Sequence, residues 1–198
     1  MTLSFSQAEA LLLEKTAECK KNGQTCLIAI EGNSGAGKST FAARIADKAG
    51  ASLYHTDDFF LPPELRTPER LAIPGGNIDS ERLLTELIAG IMSGRNFAYR
   101  VFSCKDASYS RCEAVWNPIN ILEGVYSAHP LWQAQIDYKL FLTVSPELQQ
   151  ERILHRNGAA KLRDFTEKWI PLENKYFSFF QIREQCDLIV DGGSAAAI

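Results

Sequence analysis

Apolar positions along this chain fall into two rhythms, one helical and one of short unbroken runs. Near the start, Ala8, Leu11 and Leu12 recur at helical spacing. Ser6 and Glu9 have capping-box spacing, and Asn22-Gly23 supplies a stop, so the pattern predicts a helix within residues 1–24. Residues 25–30 form a continuous β-prone apolar run, the pattern of a strand covered on both faces. Glycines follow at once, then a helical stretch carrying Phe41, Ala42 and Ile45 up to Gly50, then a short strand over residues 51–56. Residues 57–78 hold Pro62, Pro63, Pro68, Pro74 and Gly75-Gly76, too broken for a long regular element. Loops of that length in compact domains are usually functional.

The helical rhythm returns over residues 79–92, where Leu83, Leu84, Leu87, Ile88 and Ile91 make one apolar stripe. Residues 119–124 and 138–144 read as two more buried strands. Ser145-Pro146 is a helix start, a serine cap followed by proline at the first position. Helical character then runs to about Gln185, with a break at Asn157-Gly158 and a kink at Pro171, before a last short strand over residues 187–190. Strands separated by helices or long crossovers imply an α/β fold with a mostly parallel sheet. No repeat, low-complexity tract or Gly/Ser-rich linker divides the chain, so residues 1–198 are expected to form a single domain.

Composition narrows the class. At 45% hydrophobic and 23% charged the chain sits near globular averages, which excludes a disordered, collagen-like or coiled-coil architecture. A chain of this length should bury roughly 70% of its unfolded surface, enough for one real core. With 21 Lys+Arg against 24 Asp+Glu, a dedicated nucleic-acid or anionic-membrane binder is not expected. No apolar run approaches the 18 or so residues of a membrane span. The first residues, Met1 to Ser6, lack a basic stretch and a signal-type apolar run. Five scattered cysteines, Cys19, Cys26, Cys104, Cys112 and Cys186, show no metal-type spacing and read as reduced thiols, so a cytoplasmic location is expected.

The most specific signal is Gly32-Asn33-Ser34-Gly35-Ala36-Gly37-Lys38-Ser39, a complete match to G-x-x-x-x-G-K-[ST], with Thr40 next. An apolar strand leads in and a helical pattern leads out. Glycines permit close backbone approach, so successive N–H groups can surround phosphate oxygens at a helix start. Lys38 supplies a mobile cation to the β- and γ-phosphates, and the Ser39 hydroxyl can ligate magnesium. The expected ligands are ATP and Mg²⁺. A second clue is His55-Thr56-Asp57-Asp58-Phe59-Phe60 at the end of the second strand. Ligands of open α/β sheets sit beyond the carboxyl ends of strands. A carboxylate there can accept a proton from an attacking hydroxyl, hold magnesium, or cap a turn.

Together GNSGAGKST (32–40), HTDDFF (55–60), GGNIDSERL (75–83), ILEGVYSAHP (121–130) and RILHRNG (152–158) followed by WIPLENKYF (169–177) resemble the uridine kinase-like group of P-loop kinases. That group includes uridine-cytidine, nicotinamide riboside and pantothenate kinases and phosphoribulokinase. The resemblance implies a three-layer P-loop sandwich with a mostly parallel five-stranded sheet, flanking helices and a helical lid. It also implies transfer of the ATP γ-phosphate to a small-molecule hydroxyl, most readily a nucleoside. The alternatives are a non-nucleoside acceptor of pantothenate or sugar type, or a nucleotide-binding module with little turnover. A GTP-hydrolysing switch is disfavoured, because no N-K-x-D guanine-reading motif is present.

Carried over by position, Asp57 is the base facing the acceptor hydroxyl, and residues 57–78 are the acceptor-side loop. Asp79 falls where relatives hold ribose hydroxyls, and it is also the natural N-cap of the helix after it. Glu123 ends an apolar strand, where many P-loop proteins carry an acid for magnesium or its water shell. Arg152 and Arg156, four apart on one helix face, match lid arginines over the phosphates within residues 150–165; Arg163 is a third candidate. Arg100 and His129 are candidates for acceptor contact. The aromatic cluster Phe165, Trp169, Tyr176, Phe177, Phe179 and Phe180 reads as packing under the lid. The stretch from Leu61 to Pro68 departs from uridine kinases proper and leaves the acceptor open. The expected partner is a small-molecule acceptor, with self-association left open.

Overall fold

In the computed structural model, residues 2–194 are described. The strands are β1 (Thr2–Leu3), β2 (Cys26–Gly32), β3 (Ser52–His55), β4 (Phe97–Ser103), β5 (Ser108–Ala114), β6 (Ile119–Glu123), β7 (Tyr138–Thr143) and β8 (Leu188–Asp191). Six of them form one parallel sheet in the order β1-β8-β7-β2-β6-β3. The sheet therefore has six strands where five were expected. The addition is β1, whose two residues pair with Ile189 and Val190 of β8. Two residues without a periodic pattern carry no strand signal, and only the β8 edge makes them one.

Every residue of the central strand β2 is buried, because helices cover both sheet faces. Alternation sorts its side chains. Cys26, Ile28 and Ile30 join Leu12, Phe41 and Ile45 on one face, while Leu27 and Ala29 join Phe59, Leu87, Trp132 and Tyr176 on the other.

On the first face lie α1 (Phe5–Lys21) and α2 (Lys38–Ala49). The cap of α1 is Ser4 with Gln7, not Ser6 with Glu9: Ser4 N–H donates to Gln7 Oε1 at 2.9 Å, and the Ser4 hydroxyl accepts from Gln7 N–H. Glu9 instead faces α2, pairing with Arg44 at 2.7 Å and with Lys48. Both serines offer cap chemistry; β1 pairing just before Ser4 decides where the helix begins.

On the opposite face the Pro-rich segment is ordered rather than loose. It turns tightly over Thr56–Phe59 and Pro63–Leu65, forms a short helix α3 (Pro68–Ala72), and is closed by a Phe60–Ile78 bridge. Helix α4, residues 80–92, holds a π-turn over Leu83–Ile88. Strands β4 and β5, which no pattern in the sequence predicted, form an antiparallel hairpin separate from the main sheet. The hairpin packs Tyr99 parallel to Phe59, ring centres 5.8 Å apart. Helix α5 (Pro146–Asp164) starts at the expected cap, with the Ser145 hydroxyl accepting from Leu148 N–H at 3.3 Å, and is interrupted at Gly158. A π-turn over Phe165–Trp169 leads into α6 (Ile170–Phe180), which stops at Gln181 rather than near Gln185. Among the described residues no helix is long and apolar enough to cross a membrane, and the five cysteines are free thiols.

Candidate functional site

The glycine-rich loop joins β2 to α2 at the carboxyl end of the sheet, where β6 and β3 also end. Gly37, at φ 89°, is the N-cap of α2; the left-handed backbone aims the first turn of the helix at the loop's hollow. Lys38 is buried and its Nζ donates to the carbonyls of Gly32 at 2.8 Å and Asn33 at 2.9 Å. Those two bonds hold the cation inside the loop's curve.

Two helices brace the loop, and Glu173 of the second also lines the cavity in front of it. From α6, Glu173 accepts from the Ser34 N–H at 3.1 Å and from its hydroxyl. From α5, Gln149 Nε2 donates to Ser34 O at 2.8 Å and Arg152 Nη1 to Gly35 O at 3.0 Å. Burial raises the Glu173 carboxyl above its usual range, opposed chiefly by Lys38 and the Ser34 contacts.

In front of the loop lies a cavity of about 410 Å³. Its loop side is lined by Ser34, Gly35, Gly37, Lys38, Ser39 and Thr40; Gly32, Asn33 and Ala36 lie outside the lining. Asp57 faces in from the turn after β3, Glu123 from the end of β6, and Arg156 and Lys161 from α5. The Ser39 hydroxyl donates to Glu123 Oε1 at 3.0 Å, and His55 Nδ1 lies 2.6 Å from the same oxygen. Glu123 thereby raises the His55 imidazole above its ordinary value, burial opposing. Asp57 is reached by solvent through the cavity yet enclosed by protein atoms; that enclosure raises its carboxyl, Lys38 opposes, and Glu123 adds to the rise. Asp58 is not part of the lining, and its backbone carbonyl accepts from Arg82 Nη2 at 2.9 Å.

Gly124, just past Glu123, has φ 127°, and a Cβ there would lie 2.0 Å from Thr56 Oγ1. That hydroxyl donates to Val125 O at 2.9 Å, so the ends of β3 and β6 are locked side by side. The lock sets Asp57 and Glu123 relative to each other.

Three residues expected on the acceptor side lie outside this cavity. Asp79 caps α4, accepting from the Arg82 N–H and Nε at 3.1 Å each. The Arg100 guanidinium pairs with Glu86 on an exposed face. His129 stacks between Trp132 and Tyr176 beside a second hollow, its Nδ1 accepting from Leu131 N–H at 3.2 Å. Of the arginine pair, Arg156 lines the cavity and Arg152 sits behind the loop; Arg163 is not in the lining.

Sequence reasoning missed Arg66, Asn77, Trp169 and Glu173 in the lining, and Glu31 behind the loop. Glu31 had a signal, a lone acid closing an apolar run. Its carboxylate accepts from the N–H of Gly32 (3.1 Å), Tyr126 (3.1 Å) and Ala128 (3.0 Å), and burial pushes it up to about 7.

No family model matches the chain, and no curated protein matches its sequence. Solved structures do match. A possible uridine kinase from Bacillus stearothermophilus aligns over 90% of this chain and 99% of its own, with TM-score 0.64 and 17% identity. A candidate fructose transport system kinase from Silicibacter sp. TM1040 aligns over 92% and 98%, with TM-score 0.60 and 18% identity. YFH7 from Saccharomyces cerevisiae, a candidate P-loop kinase with a circular permutation, aligns over 92% and 98% at TM-score 0.61 and 12% identity. The fold is that of the uridine kinase-like P-loop kinases. At these identities the likeness is one of fold. In this P-loop kinase fold the loop, Asp57 and Glu123 all open onto one cavity, as their places at strand ends require.

Proposed function

We propose that this protein is a small-molecule kinase that moves the γ-phosphoryl group of ATP to a hydroxyl of a small metabolite. The observation that carries this reading is the meeting of Lys38, the Ser39–Glu123 pair and Asp57 on one cavity in front of a glycine-rich loop. A loop alone fits any nucleoside triphosphatase. An enclosed carboxyl with a raised pKa, facing the phosphate cradle, suits a proton acceptor for an incoming alcohol.

The residues present fit magnesium. Ser39 and Glu123 offer hard oxygen donors, and among the described residues no cluster of three or more His, Cys, Asp or Glu could hold a metal by itself. Magnesium characteristically takes one or two protein oxygens and completes its shell with phosphates and water. Bound there, it would neutralise charge on the β- and γ-phosphates.

The protein's own groups divide the remaining work. Backbone N–H groups of Gly35 and of residues 37–39 hold the phosphates, those of Ser34 and Ala36 being taken by Glu173 and Asn33, and Lys38 exchanges its two carbonyl contacts for phosphate oxygens. Asp57 takes the proton of the acceptor hydroxyl. The acceptor oxygen bonds to the γ-phosphorus while the bond to the bridging oxygen breaks, and ADP leaves with that electron pair. Arg156, reaching in from α5, places positive charge beside the transferring group.

Coupled ADP release with Mg-ATP tests the reading against uridine, cytidine, nicotinamide riboside, pantothenate, glycerate and simple sugars. Turnover that depends on one acceptor is expected. ATP binding without stimulation by any acceptor would favour a module that binds nucleotide without transferring.

A further inference from the structure

The Pro-rich segment brings to the cavity two polar groups that phosphoryl transfer itself does not employ. Arg66 follows the Pro63–Leu65 turn, where its backbone N–H donates to Pro63 O at 3.1 Å. Its Nε donates to Leu61 O at 2.6 Å, an Nη2 N–H meets Cys104 Sγ at 3.4 Å, and the guanidinium carbon lies 5.9 Å from the centre of the Trp169 indole. A guanidinium has five N–H groups. Among the described residues only those two contacts take up any of them, and no carboxylate pairs with Arg66. Of the other cations of the lining, Lys38 is held by two loop carbonyls and Lys161 pairs with Asp164, while Arg156, assigned above to the transferring group, donates to Asn157.

The second group is Asn77. It is 5% exposed, lines the same cavity, and its Oδ1 has no hydrogen-bond partner. One residue ties the two together. Leu61 N–H donates to Asn77 O at 3.0 Å, while Leu61 O holds Arg66. Arg66, with free N–H groups, and Asn77, with an unsatisfied amide oxygen, therefore line the cavity that holds Asp57 and are tied to each other through Leu61. A buried acceptor without a donor is costly, and a partly enclosed guanidinium takes a carboxylate or phosphate in charge-assisted pairs.

We propose that the phosphoryl acceptor is a hydroxy compound carrying an anionic group, a carboxylate or a phosphate monoester. Arg66 pairs with the anion and Asn77 Oδ1 accepts from a hydroxyl of the same molecule, which leaves a further hydroxyl for Asp57. The inference rests on the kinase reading of this cavity. A neutral nucleoside or sugar would satisfy Asn77 but leave the guanidinium charge unpaired.

Matched pairs test it: glycerate against glycerol, gluconate against glucose, ribose 5-phosphate against ribose, with uridine as a further neutral compound. Binding is read by calorimetry and transfer by coupled ADP release. The expected result is that the acidic member of one pair binds and turns over about 10²-fold better than its neutral partner; which pair responds separates carboxylate from phosphate. Arg66→Ala should cost that acid about 10²-fold in kcat/KM, with Arg66→Lys recovering part of it because charge returns without the planar fork. ADP release driven only by uridine or another neutral compound overturns the inference and leaves the kinase reading standing. An acid that binds through Arg66 but never stimulates ADP release overturns the kinase reading instead. Failure of every acid to bind, equal binding of both members, or an Arg66→Ala variant that loses ATP affinity rather than acid affinity overturns the anion site.

Discussion

The Tyr176 hydroxyl donates to Glu31 Oε2 at 3.2 Å, joining α6 to the residue just before the phosphate loop. The same carboxylate takes three backbone N–H groups, two of them from Tyr126 and Ala128 beyond β6. Tyr126 itself has φ 83°, a left-handed backbone that few non-glycine residues adopt and that these contacts help to hold. Glu31 therefore positions the loop, the β6 end and α6 together without touching the cavity.

Glu31→Gln puts an amide nitrogen where a second acceptor is needed, so at least one buried N–H loses its partner. Urea unfolding should show a loss of about 2 kcal/mol, against about 1 kcal/mol for Tyr176→Phe. Equal stability of Glu31→Gln and wild type would show that the four contacts carry no net free energy.

Asp57→Asn keeps the shape of the side chain and removes its capacity to take a proton. Turnover should fall about 10²-fold or more while ATP affinity, read by calorimetry, is retained. Full activity in this variant would remove Asp57 from its proposed role.

Arg152 and Arg156 lie on one helix but face different tasks, and their variants should separate. Arg156→Ala should lower kcat by about 10²-fold if, as proposed, its charge acts on the transferring group. Arg152→Ala should act mainly on the KM for ATP, because Arg152 holds the Gly35 carbonyl. Identical kinetic profiles would dissolve the distinction.

His129 is buried among aromatic rings, and burial depresses its imidazole from 6.5 to about 4. The native state thus binds fewer protons here than the unfolded chain, so stability falls as pH drops below 6.5 and levels off below about 4. The full difference is on the order of 3 kcal/mol. Glu31 works in the opposite direction: with its carboxyl raised from 4.5 to about 7, its contribution is complete below 4.5 and is lost as pH rises through 7. The informative measurement is consequently a difference, unfolding free energy at pH 7.5 minus that at pH 4.5, in wild type and His129→Gln. The variant should lose less stability on acidification; an unchanged difference would show that His129 is not held neutral.

Much of the site was legible because its signals are local. The loop spacing, the serine cap at Ser145 and the stop at Gly50 each depend on a few consecutive residues. The cap of α1 was misplaced because a local signal had two valid readings: Ser4 and Ser6 both offer cap chemistry. Asp79 caps its helix, as one of its two readings expected. The β4–β5 hairpin escaped notice because its outer strand is mostly exposed and lacks an apolar run.

By itself the sequence determined the parallel α/β order, the phosphate loop and the placing of Asp57 and Glu123 at strand ends, since backbone conformation and side-chain alternation follow from neighbours in the chain. Tertiary structure alone decided which groups share the cavity. Arg66, Asn77, Lys161 and Trp169 come together through a folded Pro-rich segment and, far from it in sequence, α5 and the π-turn that follows it. Contacts of that kind depend on how elements pack and on which polar groups packing leaves unsatisfied, and neither quantity is written in any short stretch of residues.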